Sequence, residues 1–385
     1  MDLRESASQR ELRQELRSYF SSLMPAAERR AVAEQGAGGP RFREVVKMLG
    51  RDGWLGVGWP TEFGGRGLSA EEQFVFYDEI QRAGVPFPLV TINTVGPTLM
   101  QYGTPEQKAL YLPGMLSGET VFAIGYTESS AGTDLASLQT RAVRDGDDYV
   151  INGAKIFTTG GNTADYIWLA CRTDPEARHR GISIFIVPCD DPGFSWGPIH
   201  TVGGMQVTTT YYSDIRVPAA NLVGELNGGW RLITSQLNHE RVALAALGGR
   251  TIQLWEQVRA RVEETGQNDT PWVRRELAAS YARLVAMRLL NWKLTTQISD
   301  GELSGTTAAA AKTYGTETHI AVQRSLAQIL GAGTRMRMPR HDVLLEGELE
   351  QLTRQSIVNT FGGGVNEVLR DMIATQGLGL PRGVR

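Results

Sequence analysis

Cysteine is nearly absent: Cys171 and Cys189 are the only two in 385 residues. They are too far apart for a CxxC redox pair and too few for a zinc site. Both read as reduced core residues, as in a cytosolic chain, and no metal centre is expected. An excess of one charge is missing too. Lys and Arg number 39 against 42 Asp and Glu, a formal net charge of −3, with no Lys/Arg run. That argues against a nucleic-acid partner. Long apolar runs are also lacking. The N-terminus, MDLRESASQRELRQELRSYF, is charged throughout and carries no apolar signal segment. No stretch reaches the roughly 20 apolar residues that cross a bilayer. No repeat or low-complexity tract occurs. A cytoplasmic protein with no membrane contact is expected.

What is present is ordinary globular material, with 41% hydrophobic and 21% charged residues, so disorder is not expected. The length exceeds one simple core and points to two or three packed subdomains. In residues 11–24, Leu12, Leu16, Tyr19 and Leu23 recur at helical spacing. Ser69-Ala70-Glu71-Glu72 is a capping box that opens a helix around 74–80. Thr104-Pro105-Glu106-Gln107 is a second helix start. The period then changes. Residues 140–143 and 149–152 flank Arg144-Asp145-Gly146-Asp147-Asp148, which predicts a hairpin. Residues 166–171, 182–187 and 208–217 are rich in β-branched and aromatic side chains. Helices return at 231–247, 272–298 and 306–330, long enough for a bundle. The expected layout is an α+β chain. It has an N-terminal helical domain at 1–119, a β-barrel-like middle domain at 120–226 and a C-terminal four-helix bundle at 227–385.

Two stretches hold candidate chemistry. GYTESSAGTD at 125–134 reads either as a strand ending in a turn, since Ser, Gly and Asp form turns, or as a loop of small residues whose N–H groups approach a flat polar ligand. LNHERVALAALGG at 237–249 reads as a helix with Glu240 and Arg241 side by side near its start. Glu240 is there either half of a structural ion pair favoured by the helix dipole or a base.

The first stretch resembles the Thr-Glu-x-x-x-Gly-Thr/Ser-Asp pattern of the acyl-CoA dehydrogenases, with Ser129-Ser130 where the family has Pro-Gly. Asn152-Gly153-Ala154-Lys155-Ile156-Phe157-Thr158-Thr159-Gly160 resembles a second motif of that family. Tyr212-Ser213-Asp214-Ile215-Arg216-Val217-Pro218 resembles a third. Phe361-Gly362-Gly363-Gly364-Val365-Asn366-Glu367, with Arg370 and Gly379-Leu380-Pro381-Arg382, resembles a fourth. The motifs follow the family's order along the whole chain. GRDGWL, TINTVGPTLMQYGT and HRGIS are similar to the branch that acts on CoA thioesters of steroid side chains, such as those derived from cholesterol.

The resemblance implies FAD as cofactor and α,β-desaturation of an acyl-CoA, with a carboxylate taking the α proton and hydride leaving for flavin N5. Tyr126, Thr127, Gly132, Thr133, Phe157, Thr158 and Thr159 are then cofactor contacts, and Thr133 and Arg241 lie against the substrate. Phe157 stands where the family usually has Trp, which keeps an aromatic face and loses the indole N–H. Many members carry the base near the C-terminus. The matching position here is Gly363, which accepts no proton. Other members place it in a Glu-Arg pair on the first helix of the last domain, and Glu240-Arg241 matches that pair. Gly363 is then left to polarise the thioester carbonyl through its N–H. His239 is expected to be a polar helix-start residue. Glu346, Glu348 and Glu350 are rival carboxylates in an acidic run, which usually marks a solvated face.

The region GQNDTPWVRRELAASYA lacks the Arg-x-x-Phe-Gly motif with which family homotetramers reach a neighbour's FAD diphosphate. Gln328 resembles the family's other cross-subunit flavin contact. The resemblance therefore implies a second, dehydrogenase-like subunit, most simply in a heterotetramer, and an acceptor such as electron-transfer flavoprotein. Arg274 or Arg275 taking over the missing role is the alternative. Two other readings stay open: a flavin enzyme of the same fold acting as an oxidase, as a monooxygenase or on a carrier-bound acyl group, and a non-catalytic partner subunit.

Overall fold

The computed structural model describes residues 5–25, 39–239, 248–302, 304–335 and 344–382. The N-terminal layer contains α1 (Ala7–Leu23), α2 (Pro40–Arg51), α3 (Ala70–Ala83), α4 (Gly96–Tyr102) and α5 (Pro105–Ser117). Both expected caps form. Ser69 and Thr104 each accept from the backbone N–H three residues on, and the Glu72 and Gln107 side chains reach back to the cap. Ser6 and Gln9 make a third such box at α1. Leu16 and Leu23 of the predicted stripe are buried, with Leu12 and Tyr19 packed on the same core. A π-helical turn, Val90–Val95, joins α3 to α4.

The middle layer is one sheet. Its strands are β1 (Phe122–Gly125), β2 (Arg141–Asp145), β3 (Asp148–Thr158), β4 (Tyr166–Arg172), β5 (Ile182–Pro188), β6 (Phe194–His200), β7 (Gln206–Pro218) and β8 (Leu222–Val223). The ladder runs β6-β7-β3-β2-β4-β5-β8, with β1 parallel to β4. The hairpin expected at 144–148 is the β2–β3 turn, where Asp145 opposes Asp148 and Gly146 has φ +65°. Strands β4 and β5 are buried on both faces. Trp168, Ala170, Ile184 and Ile186 face the core shared with the N-terminal helices, while Ile167, Leu169, Phe185 and Val187 face a second core within the β-layer. Their near-continuous apolar runs follow from that double burial.

The C-terminal layer begins with α6 (Gly229–His239). It continues as α7 (Gly249–Glu264), α8 (Pro271–Ser299), α9 (Gly305–Leu330), α10 (Leu344–Gln355) and α11 (Asn366–Met372). Leu254, Leu277, Val322 and Leu349, one from each of α7, α8, α9 and α10, meet in a third core. This is the expected four-helix packing. No helix of the described residues is long and apolar enough to cross a membrane.

Candidate active site

Strand β1 feeds directly into residues 126–134, and a buried ion pair decides where that loop lies. Lys155 Nζ is 2.8 Å from Glu128 Oε1 and also donates to the Tyr126 carbonyl at 3.0 Å. The Glu128 carboxylate accepts two further bonds, from the Gln139 N–H at 2.7 Å and the Thr140 N–H at 2.8 Å. The Lys155 side chain has no exposed surface. Two charges taken from water require this degree of satisfaction. Burial opposes the Glu128 charge, yet Lys155 and Thr140 outweigh it and hold the carboxyl below its ordinary 4.5. Burial pushes Lys155 below its ordinary 10.5, against the pull of Glu128. The short contact and the amide donors favour the charged pair. Glu128 and Lys155 stand in the first two motifs, and neither is among the sequence-predicted site residues. Nothing in the sequence around either one marked them as a pair.

The clamp brings the predicted residues together. The Ile156 N–H donates to the Thr127 carbonyl at 2.8 Å, so 126–128 lies against 155–156. One residue on, Phe157 has φ +60° and leaves 57% of its surface exposed. Thr159 and Thr133 are exposed, and Thr127 is half-buried. A Cβ on Gly132 would meet nothing within 4 Å. Thr158 differs from its neighbours. Its side chain is buried, 3.4 Å from Thr210 Oγ1, and its carbonyl accepts from Thr208 at 2.8 Å. The result is an open shelf at the end of β3, where the bare Phe157 ring follows the residues that pair with the 126–128 backbone. Such a shelf fits a flat polar ring system, as a flavin is.

The Tyr126 side chain turns to the helices. Its hydroxyl accepts from Trp168 Nε1 at 3.0 Å and donates to Gln236 Oε1 at 2.5 Å. This joins the 126–134 loop to α6, four residues before Glu240 in sequence. Glu240 and Arg241 lie outside the described residues, and α6 is described as far as His239. Gln236 was not anticipated, since nothing in its local sequence marks it.

The glycine run follows a 3₁₀ turn, Ser356–Thr360. Gly363 has φ +67° and Gly364 φ +112°, and a Cβ on Gly363 would meet nothing within 4 Å. Just upstream, Arg354 Nη1 donates to the Val202 carbonyl at 2.5 Å, in the β6–β7 turn. Thr208, near the start of β7, pairs with Thr158 beside Phe157. The segment leading to the glycines therefore packs on the end of the sheet that carries the shelf.

With this geometry in place, comparison with known proteins is decisive. The N-terminal, middle and C-terminal domains of acyl-CoA dehydrogenases match residues 6–119, 123–215 and 227–378. The chain belongs to the acyl-CoA dehydrogenase family. It is 48% identical to the acyl-CoA dehydrogenase FadE26 of Mycobacterium tuberculosis over 98% of each chain. Among solved structures it is similar to the Tcur3481-Tcur3483 steroid ACAD. There the identity is 68%, the TM-score 0.97 and the coverage 100% of both chains. The ChsE4-ChsE5 complex from Mycobacterium tuberculosis matches at 47% identity and TM-score 0.94, again over 100% of both chains. The chain is thus an oxidoreductase of the acyl-CoA dehydrogenase class, and FAD is the cofactor.

Within this dehydrogenase two of the three rival carboxylates are committed elsewhere. Glu348 pairs with Arg250, and Glu350 with Arg354 at 2.5 Å. Their side chains are 28% and 12% exposed, so these two form partly buried ion pairs and not the solvated face that the composition of the run suggested. Gln328 is exposed on α9. It stands sixteen residues beyond Lys312, roughly 24 Å along the helix. Arg274 and Arg275 are exposed on α8, with Arg275 3.4 Å from Glu276.

Proposed function

We propose that the chain catalyses α,β-dehydrogenation of an acyl-CoA whose acyl group is a steroid side chain, with Glu240 as base. The observation that carries this reading is Gly363. Its positive φ and the open space at its Cβ suit a position vacated by the carboxylate that many relatives hold there. The base must then come from another element, and Glu240 follows in sequence directly after α6, the helix that Gln236 ties to the shelf. The thioester lies between them, its carbonyl accepting from the Gly363 N–H. That contact favours loss of the α proton by placing a donor where negative charge develops. The Glu240 carboxylate takes the proton. Bound FAD supplies the hydride acceptor, held by Thr127, Thr133, Thr159 and the Phe157 ring. Thr158 contributes through its backbone, because its side chain is occupied in the sheet. The steroid specificity rests on similarity to an enzyme called a steroid ACAD.

The same reading gives the partner. A diphosphate removed from water must be met by donors or cations, and this chain lacks the Arg-x-x-Phe-Gly motif. A second dehydrogenase-like subunit completes the site in a heterotetramer, cytoplasmic, with electrons passing on to a carrier such as electron-transfer flavoprotein. The two-component makeup of the ChsE4-ChsE5 complex agrees with this assembly.

Glu240→Gln tests the chemistry. The variant is expected to keep its fold and flavin spectrum and to lose about a hundredfold to ten-thousandfold in turnover. Near-normal turnover, with loss in Glu346→Gln instead, would show that the base has been misplaced.

A further inference from the structure

We infer that Lys312 is a positioning residue for the reaction proposed above, on which this inference rests: its ammonium holds the glycine run in the curvature that presents the Gly363 N–H to the thioester carbonyl. Lys312 lies on α9, far in sequence from that run, yet its Nζ is 2.5 Å from the Gly364 carbonyl and 2.8 Å from Asn366 Oδ1. Asn366 is itself buried and anchored. Its Nδ2 donates to Thr316 Oγ1 at 3.0 Å and lies 3.3 Å from Glu317 Oε1, and Glu317 pairs with Arg370 at 2.6 Å. At the other end of the run, the Gly362 N–H donates to the Val358 carbonyl at 2.8 Å. Three consecutive glycines have more backbone freedom than any other tripeptide. Tying them at both ends selects one path. A charge-assisted bond to a carbonyl is the strong kind, and a cation one residue from Gly363 favours negative charge developing beside it.

The charged groups that act on Lys312 are Glu317 on its own helix, itself paired with Arg370, and Glu367 on α11. Burial pushes the Lys312 ammonium down from 10.5 to about 8, against the opposing pull of Glu367 and Glu317. The proton is therefore lost as pH rises through about 8, and the bond to Gly364 weakens over that range. An Arg in its place stays charged throughout.

The test uses the chain with its co-expressed partner and compares wild type, Lys312→Met and Lys312→Arg. It reads kcat and KM on an acyl-CoA panel from pH 6 to 9.5, and hydrogen exchange of residues 361–366. Because angstrom-scale misplacement costs up to about a hundredfold, Lys312→Met is expected to lose about tenfold or more in kcat with KM within about threefold. Its loop amides should exchange about tenfold faster. Lys312→Arg should restore both and remove the activity loss above pH 8. Wild-type kcat and wild-type loop exchange in Lys312→Met overturn the assignment, as does an Arg variant as impaired as the Met variant. If the wild type desaturates no acyl-CoA, it is the proposed function that fails. Loop exchange then decides separately: faster exchange in the Met variant upholds the role of Lys312 in holding the loop, and unchanged exchange overturns it.

Discussion

Lys155 and Glu128 show how one buried pair of charges fixes the path of a loop. Removing one partner of a buried ion pair costs about 3–5 kcal/mol, because the other charge is left in a low-dielectric interior. Lys155→Met is therefore expected to lower the melting temperature and release flavin. A double variant, Lys155→Met with Glu128→Leu, should recover part of the loss, since no lone charge remains. Thermal unfolding followed by circular dichroism and by flavin fluorescence reads both. The pH dependence has a definite sign. Glu128 titrates below its ordinary 4.5 in the folded chain, so its contribution is complete above that value and is lost as pH falls through the lowered one. The sequence displayed both residues inside quoted motifs, but nothing local said that one would neutralise the other.

At the scale of elements, β3 carries a strained residue at its functional end. A non-glycine side chain in the left-handed region costs roughly 1–2 kcal/mol, and Phe157 sits there with its ring half in solvent. The register shift between Lys155 and Thr158 against β7 marks the same spot. Phe157→Gly is expected to leave the flavin-free melting temperature unchanged or slightly raised, because strain is relieved and little packing is lost. Flavin affinity should fall at least about tenfold, by loss of a stacking face of the kind worth about 0.5–1.5 kcal/mol beyond its area. Titration of apoprotein with FAD measures it; unchanged affinity would remove Phe157 from the shelf. The strands with apolar, β-branched runs were legible from sequence. Strand β6 was not, because Gly197 and Pro198 interrupt FSWGPIH. Pairing on one side with β7 tolerates them, as proline is confined to such edge positions.

The whole molecule is tied across its layers by charge. Arg13 of α1 meets Asp78 of α3 at 2.7 Å and also Glu79 and Glu5, while Glu5 meets Arg288 of α8 at 3.0 Å. Arg82 of α3 reaches Glu256 of α7 at 3.1 Å. The N-terminal and C-terminal layers are thus joined outside the sheet. Assembly is the prediction that belongs at this scale. Expressed alone, the chain is expected to hold little FAD or to aggregate. Co-expressed with a dehydrogenase-like partner that carries the missing Arg, it should form a tetramer of two chains of each kind. Light scattering with flavin quantitation separates the cases. A homotetramer of this chain with one FAD per chain and acyl-CoA turnover would refute the two-subunit site.

The order helices–sheet–helices, the capping boxes at Ser69 and Thr104 and the β2–β3 hairpin were all readable in the sequence. Each depends on residues within a few positions of one another, through periodicity, a cap or a turn. The matching motifs likewise pointed to the family before any fold was known. The structure alone decided which charges find distant partners: Glu128 with Lys155, Glu348 with Arg250, and Lys312 with the Gly364 carbonyl. An acidic run looks solvated when read in one dimension, because the arginines that neutralise it lie on a neighbouring helix or one turn away. The partner of a buried charge is a property of packing, and packing brings together residues that the chain keeps tens of positions apart.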